Sequence, residues 1–378
     1  MVAMGGGPET PQRSTGDGEG SRDLLLAVLP WPESEPQHTI AKIKEDFPNL
    51  DVHYVQDYLN KADRGKTNVP EELYKRAKYL ATLSWLPPTP DVVPDLKFIQ
   101  FFSAGSNHVA NHPIYTDSKI PLTTASGIHG PQIAEWVIMM DLVHSHKYID
   151  LYEDQKKKEW SQPRGFGVRD AVGKTVGVLG YGSIGRQVAR VAKAMGSNVI
   201  AFTASPRRTP ESKKDNGFIV PGTGDPDGSI PSAWYSGLDK ESLHEFLKQR
   251  VDLLVLSVPL TKETTHFIAA DEFAILEESN PHGTFIANIS RGGIINQPDL
   301  IKALETKQIR GAALDVTDPE PLPKDDPLWD APNVLITPHI SGSSVAYADR
   351  AFQVLHENLR RDRDGVPLCN LIDRKRGY

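Results

Sequence analysis

Lys174-Thr-Val-Gly-Val-Leu-Gly-Tyr-Gly-Ser-Ile-Gly185 is the stretch on which the reading of this chain turns. It opens as a continuous apolar run of small and β-branched residues, the pattern of a strand buried on both faces. Gly180, Gly182 and Gly185 follow in G-x-G-x-x-G spacing, and the amphipathic run 186–195 comes directly after. Strand, glycine turn and helix in that order are the context a dinucleotide-binding fingerprint requires. Gly180 allows the tight turn, Gly182 lets the backbone approach a pyrophosphate, and Gly185 lets the helix pack close to the strand. The free N–H groups of the helix's first turn, around Ser183 and Ile184, then face the phosphates with the positive end of the helix dipole.

Working outward, the chain alternates strands and helices on both sides of this stretch. Before it, residues 24–29, 52–55, 80–85 and 98–102 read as strands, with helices over 40–46 and 71–77. After it, strands are expected at 198–202, 253–258, 284–288, 312–316 and 334–337, and helices at 240–248, 298–305 and 346–359. Such alternation implies parallel sheets with helices on both faces, and ligands bind beyond the carboxyl ends of their strands. The turn 103–107, Ser-Ala-Gly-Ser-Asn, lies at one such end, where its backbone N–H groups can hold an anion. A long helix over 127–147 separates the two regions, with Ile133, Val137, Met140 and Val143 on one stripe. Residues 206–238 read as a long insertion rich in Pro and Gly.

Bulk properties narrow the function. A length of 378 residues accommodates two domains, and a net charge of −7 argues against nucleic acid or an anionic membrane as partner. No window is apolar enough to span a bilayer. A single cysteine, Cys369, rules out an intrachain disulfide and a cysteine metal cluster, and it fits the reducing cytosol. No metal site is expected. Residues 1–22, rich in Gly, Pro, Ser and acids, read as a disordered tail and not a targeting peptide.

Three polar residues follow strand ends of the second region: Arg291, Glu320 and His339. Parallel strands bring those points to the edge that carries the glycine turn, so all three can meet beside a bound dinucleotide. Reduction of a 2-keto acid needs this set. An arginine binds the carboxylate in bidentate fashion and polarises the ketone. A histidine delivers the proton as hydride reaches carbon. A carboxylate behind the imidazole orients it and favours its protonated form.

With these residues and five motifs in order, the sequence resembles the D-isomer-specific 2-hydroxyacid dehydrogenase family, which includes glyoxylate/hydroxypyruvate reductases. The motifs are Gly-Tyr-Gly-Ser-Ile-Gly (180–185), Ser-Val-Pro-Leu-Thr (257–261), Asn-Ile-Ser-Arg-Gly-Gly (288–293), Leu-Asp-Val-Thr-Asp-Pro-Glu-Pro-Leu (314–322) and Thr-Pro-His-Ile-Ser-Gly (337–342). The resemblance runs from Leu24 to about Leu368. It implies an α/β fold of two domains: a Rossmann doubly wound parallel sheet over 122–344, and a smaller flavodoxin-like substrate domain over 23–121 closed by 345–378. It also implies that Arg291 binds substrate, Glu320 partners the histidine, and His339 donates and accepts the proton. By the same resemblance the amides of Ala104 and Gly105 hold the substrate carboxylate. Asp315 contacts the nicotinamide carboxamide, and Val258, Pro259, Thr264 and Ile289 lie near the cofactor. Hinges are implied at 121–127 and 342–345, and a homodimer contact on the helix 127–147. Glu320 argues against a formate oxidiser, since formate dehydrogenases of this superfamily carry glutamine there.

NAD-preferring proteins of this fold place an acid near the end of the second strand. Here the strand ends Thr203-Ala-Ser205-Pro-Arg207-Arg208, with no acid. Thr203 stands where that aspartate would be, and Ser205, Arg207 and Arg208 can meet a 2′-phosphate. NADP(H) is therefore the expected cofactor, with NAD(H) as the alternative. The rival function is a nucleotide-sensing scaffold resembling the corepressors that share this fold.

Overall fold

Two parallel sheets, one of five strands and one of seven, form the frame of the molecule. The computed structural model describes residues 22–374 apart from 35, 59–62 and 64. The expected tail lies outside the described residues except for Arg22, which pairs with Asp51.

The first sheet is built from β1 (Asp23–Leu29), α1 (Gln37–Asp46), β2 (Leu50–Gln56), α2 (Glu71–Arg76), β3 (Ala77–Thr82), β4 (Phe98–Phe101), α3 (Pro113–Thr116) and β5 (Leu122–Thr123). Leu24 to Leu29 are all buried, which is why β1 reads as an unbroken apolar run. Strand order is β2-β1-β3-β4-β5. The order therefore reverses beside β1, and a crevice opens at the carboxyl ends of β1 and β3, as in flavodoxin-like sheets.

Two helices, α4 (Gly130–Ser145) and α5 (Tyr148–Lys157), lead into the second sheet. It contains β6 (Thr175–Leu179), α6 (Ser183–Ala194), β7 (Asn198–Thr203), α7 (Pro210–Lys213), β8 (Ala233–Ser236), α8 (Lys240–Leu247) and β9 (Leu253–Leu256). It continues through α9 (Ala270–Ser279), β10 (Phe285–Asn288), α10 (Gln297–Glu305), β11 (Gly311–Leu314) and β12 (Val334–Ile336). The order β12-β11-β10-β9-β6-β7-β8 is the Rossmann arrangement with one added strand, and its reversal falls between β6 and β9. The glycine turn at the end of β6 thus sits at the switch point.

The last helix, α11 (Tyr347–Arg363), returns to the first sheet. Ala351, Phe352, Leu355 and Leu359 share a core there with Leu25, Leu29 and Ile43. Phe352 meets Phe102 edge-on at 4.9 Å, which fixes the helix against the residue that precedes the 103–107 turn. Between the lobes, α4 lies on α6, with Ile133, Ala134 and Val137 packed among Val178, Val188 and Ala189.

Several local expectations need correction. The strand expected at 80–85 is β3, ending at Thr82; Leu83 and Trp85 are buried beyond it as loop, because apolar pattern reports burial and not backbone type. The 127–147 helix stops at Ser145, and Lys147 takes a left-handed φ of 55° before α5 begins. Of its expected stripe only Ile133 and Val137 are fully buried, since Ala134 and Trp136 take the other core positions. The insertion 206–238 holds α7 and β8, an edge strand of four residues and too short to stand out as an apolar run. Among the described residues no helix is long and apolar enough to cross a membrane.

Candidate active site

Adjacent parallel strands end on one edge, so β11, β10, β9, β6 and β7 bring Asp315, Ile289, Val258, Gly180 and Thr203 into a row. Gly180 has φ +102°, and a Cβ there would lie 2.4 Å from the Ser257 carbonyl oxygen, so no other residue fits the turn. Gly182 caps α6, and nothing stands within 4 Å of where its side chain would be. Ser183 and Ile184 supply the first helical turn beneath it. Open space at the positive end of a 12-residue helix suits a pyrophosphate, so these residues fit a dinucleotide.

Along the row from that cradle, Thr203 is buried and donates its hydroxyl to the Ser205 carbonyl at 2.8 Å. Ser205, Arg207 and Arg208 are exposed. Arg207 donates to the Ser212 carbonyl at 2.6 Å. In the loop after β9, Thr264 is buried; its hydroxyl donates to the Pro259 carbonyl at 2.7 Å and accepts from Thr261 N–H at 2.8 Å. Thr264 shapes that loop.

Asp315 is only 2% exposed, and its carboxylate accepts from four groups of the segment that carries the histidine. The donors are the N–H groups of Ile340 and Ser341, both at 2.9 Å, the Thr337 hydroxyl at 2.6 Å and the Ser341 hydroxyl. The His339 N–H donates to the Asp315 carbonyl at 2.9 Å. A buried carboxylate with charge-assisted bonds makes a rigid mount. His339 sits on it in a left-handed backbone conformation, φ 56°.

Arg291 is mounted by a neighbour of the same kind. Asn288 Oδ1 accepts from the Ser290 N–H at 3.1 Å, and its Nδ2 donates to the Arg291 carbonyl at 3.0 Å. At Gly292 a Cβ would lie 2.0 Å from the Thr317 carbonyl oxygen, so glycine lets the segment after β11 close onto this loop. That close approach brings Glu320 within electrostatic reach of Arg291. Burial lowers the Arg291 pKa, and the charge of Glu320 opposes the shift. Glu320 Oε1 in turn lies 2.8 Å from His339 Nδ1.

The other lobe contributes the turn after β4. The Ser103 hydroxyl donates to the Gly105 carbonyl at 2.8 Å, tightening the loop around Ala104. The Cβ position of Gly105 is 3.2 Å from Arg291 Nη2, so the turn of one sheet faces the arginine of the other across the cleft. Tyr347 OH donates to the Phe102 carbonyl at 2.7 Å and holds the turn's entry. Arg291, Glu320, His339 and Gly105 are thus brought together; Ser205, Arg207 and Arg208 stand farther along the row. Sequence reading missed the mounting role of Asp315, Asn288 and Tyr347, and the reason for Gly292. Only the asparagine and glycine beside Arg291 carried a signal. Among the described residues no cluster could hold a metal ion.

Residues 138–220 and 226–341 match the family model for the D-isomer specific 2-hydroxyacid dehydrogenase NAD binding domain, and the match breaks inside the insertion. D-3-phosphoglycerate dehydrogenase of Methanocaldococcus jannaschii is 29% identical over 306 residues, 80% of this chain and 53% of that protein. The chain therefore spans about half the length of that relative. Glyoxylate/hydroxypyruvate reductase A of Salmonella dublin is 28% identical over 302 residues, 78% of this chain and 86% of its own. The NADPH-dependent glyoxylate/hydroxypyruvate reductase of Sinorhizobium meliloti, solved with NADP and sulfate, superposes with a TM-score of 0.70 at 26% identity. That likeness covers 94% of this chain and 100% of the other.

Proposed function

The chain belongs to the D-isomer-specific 2-hydroxyacid dehydrogenase family, and on that premise we propose that it reduces a 2-keto acid to a D-2-hydroxy acid with NADPH. The observation that carries the reading is the 2.8 Å contact of His339 Nδ1 with Glu320, made beside Arg291 and opposite Gly105. Arg291 binds the substrate carboxylate and polarises its ketone. The Ala104 and Gly105 amides complete the carboxylate site. With Nδ1–H directed at Glu320, Nε2 of His339 gives its proton to the ketone oxygen and recovers it in the reverse direction. A nicotinamide dinucleotide, when bound on the glycine turn, supplies the hydride. Its 2′-phosphate would meet Ser205, Arg207 and Arg208, which have no acid among them to repel it.

Glyoxylate, hydroxypyruvate, and a branched and an aromatic keto acid, each mixed with NADPH, test the reading through loss of nicotinamide absorbance. Turnover of at least one is expected. If NADPH survives all of them, the scaffold alternative takes its place. Fluorescence titration with both reduced cofactors tests the preference, and tighter binding of NADH would reverse it. The protein is read as a cytosolic homodimer. Met139, Tyr148, Ile149, Tyr152 and Trp160 are exposed on α4, on α5 and just beyond, an apolar surface that suits the subunit contact. Light scattering that returned a monomer mass would remove that part.

A further inference from the structure

The insertion between β7 and α8 does not lie loose on the surface. One part of it is fastened to the glycine turn. Tyr181, between Gly180 and Gly182, is buried and donates its hydroxyl to Asp225 Oδ2 at 2.8 Å. Asp225 is buried too, and its carboxylate also accepts from the N–H groups of Ser229 and Ile230. Arg186, in the first turn of α6 and 4% exposed, lies 5.1 Å from the Tyr181 ring centroid. It donates to the carbonyls of Asp225 at 2.5 Å and Lys213 at 2.6 Å. Gln187 Oε1 accepts from the Gly224 N–H at 2.6 Å.

Another part is fastened to the opposite lobe. Phe218 packs on the core shared by β1, α1 and α11, and its N–H donates to Asn370 Oδ1 at 3.4 Å. Asn370 Nδ2 donates in turn to the carbonyls of Thr124 at 3.1 Å and Ser126 at 2.8 Å, where the chain crosses between lobes. Closest of all is Gly127, with φ +99°, where a Cβ would lie 1.9 Å from the Phe218 carbonyl oxygen. An open pocket of about 320 Å³, lined by Phe218, Ile219, His356, Arg361 and Cys369, borders this end. The insertion is therefore tied at Lys213, Gly224 and Asp225 to the glycine turn and α6, and at Phe218 to the opposite lobe.

We propose that the insertion is a strap through which occupancy of the pyrophosphate turn is coupled to the interlobe crossing at 124–127. The buried Tyr181–Asp225–Arg186 network has its hydrogen bonds made, so it moves as a unit with the first turn of α6. Phosphates that order this turn also order residues 213–225, and Phe218 carries the effect to Gly127 and Asn370. The proposal rests on the dinucleotide reading of the glycine turn and not on the keto-acid chemistry.

Hydrogen–deuterium exchange of the full chain, with and without NADPH, tests it. In the wild type NADPH slows exchange at 180–186 and also at 122–130. In Phe218→Ala the slowing at 180–186 persists and that at 122–130 is lost. Phe218→Leu, which refills the apolar contact, restores it, and Gln187→Ala at the other anchor weakens it. Equal slowing at 122–130 in wild type and Phe218→Ala overturns the coupling, as does no slowing there in the wild type. Absent slowing at 180–186 in the wild type overturns the nucleotide site and the strap together. Keto acids that all fail as substrates overturn only the reaction proposed above.

Discussion

Two segments at the same sheet edge are built in opposite ways. The segment 337–341 has its backbone and hydroxyls bound by a buried aspartate, and it holds His339 on a fixed mount. The segment 203–208 ends in exposed cations, of which Arg207 has one bond to its own loop. Arg208 makes no side-chain hydrogen bond or ion pair among the described residues. The difference suits the roles proposed for the two segments. A proton donor works only when held within about half an ångström of its productive position, so it must be preorganised. A long cation meeting a doubly charged phosphate can order on contact, because charge attraction acts over several ångströms.

His339→Ala is the severest way to strain this contrast. It should lower kcat by about 10³-fold and leave the NADPH dissociation constant unchanged. Steady-state kinetics beside a fluorescence titration would show this, and a kcat near wild type would mean that the rigid segment is not the catalytic one. Asp315→Ala strikes the mount itself. It leaves buried donors unmatched and should cost about 3 kcal/mol in urea unfolding, with kcat reduced as His339 loses its fixed position. If stability is unchanged, the mount is ornamental.

The support beneath this segment should also show in the pH dependence of stability. His129 lies against Gly342, its Cδ2 3.4 Å from the glycine's Cβ position, and burial followed by the nearby charge of Arg350 lowers its pKa to about 4. The unfolded chain, with histidine at its ordinary value, takes up the proton first as pH falls. The stabilisation is therefore complete above the unfolded pKa near 6.5 and drains as pH drops to about 4, by at most about 3 kcal/mol. His144, also lowered to about 4 by burial, adds to the same window. His129→Asn should flatten part of that slope in unfolding curves taken across it; an identical slope would place the titration elsewhere.

The smallest effect belongs to the exposed segment. Arg208→Ala should weaken NADPH about tenfold, leave NADH alone, and shrink the salt dependence of NADPH binding. Equal weakening of both cofactors would show that the arginine touches the shared part of the nucleotide, and the contrast between the segments would lose its functional meaning.

Much of this molecule was legible in the chain because its signals are local. A strand buried on both faces is written as an apolar run, and β1, β6, β9 and β10 read that way. A position that admits only glycine is written as glycine, which is why Gly180 and Gly185, with Gly182 between them, located the switch point. Arg291, Glu320 and His339 could be picked out because parallel strands must end on one edge. Two elements carried no such mark: α9, which buries only Phe273 and Leu276 among its apolar residues, and β8, which has four residues.

By itself, then, the sequence determined that two parallel sheets exist, where the nucleotide turn lies, and which side chains stand at strand ends. The tertiary structure decided which of them touch. Asp315 faces the histidine's segment because β11 and β12 pair in register, and Glu320 meets His339 on a segment that Gly292 lets close onto the Arg291 loop. The path of the insertion from Tyr181 to Gly127 was likewise settled only in three dimensions. These are contacts between residues distant in the chain, fixed by packing and by the need of buried polar groups for partners, and periodicity along one segment holds no record of them.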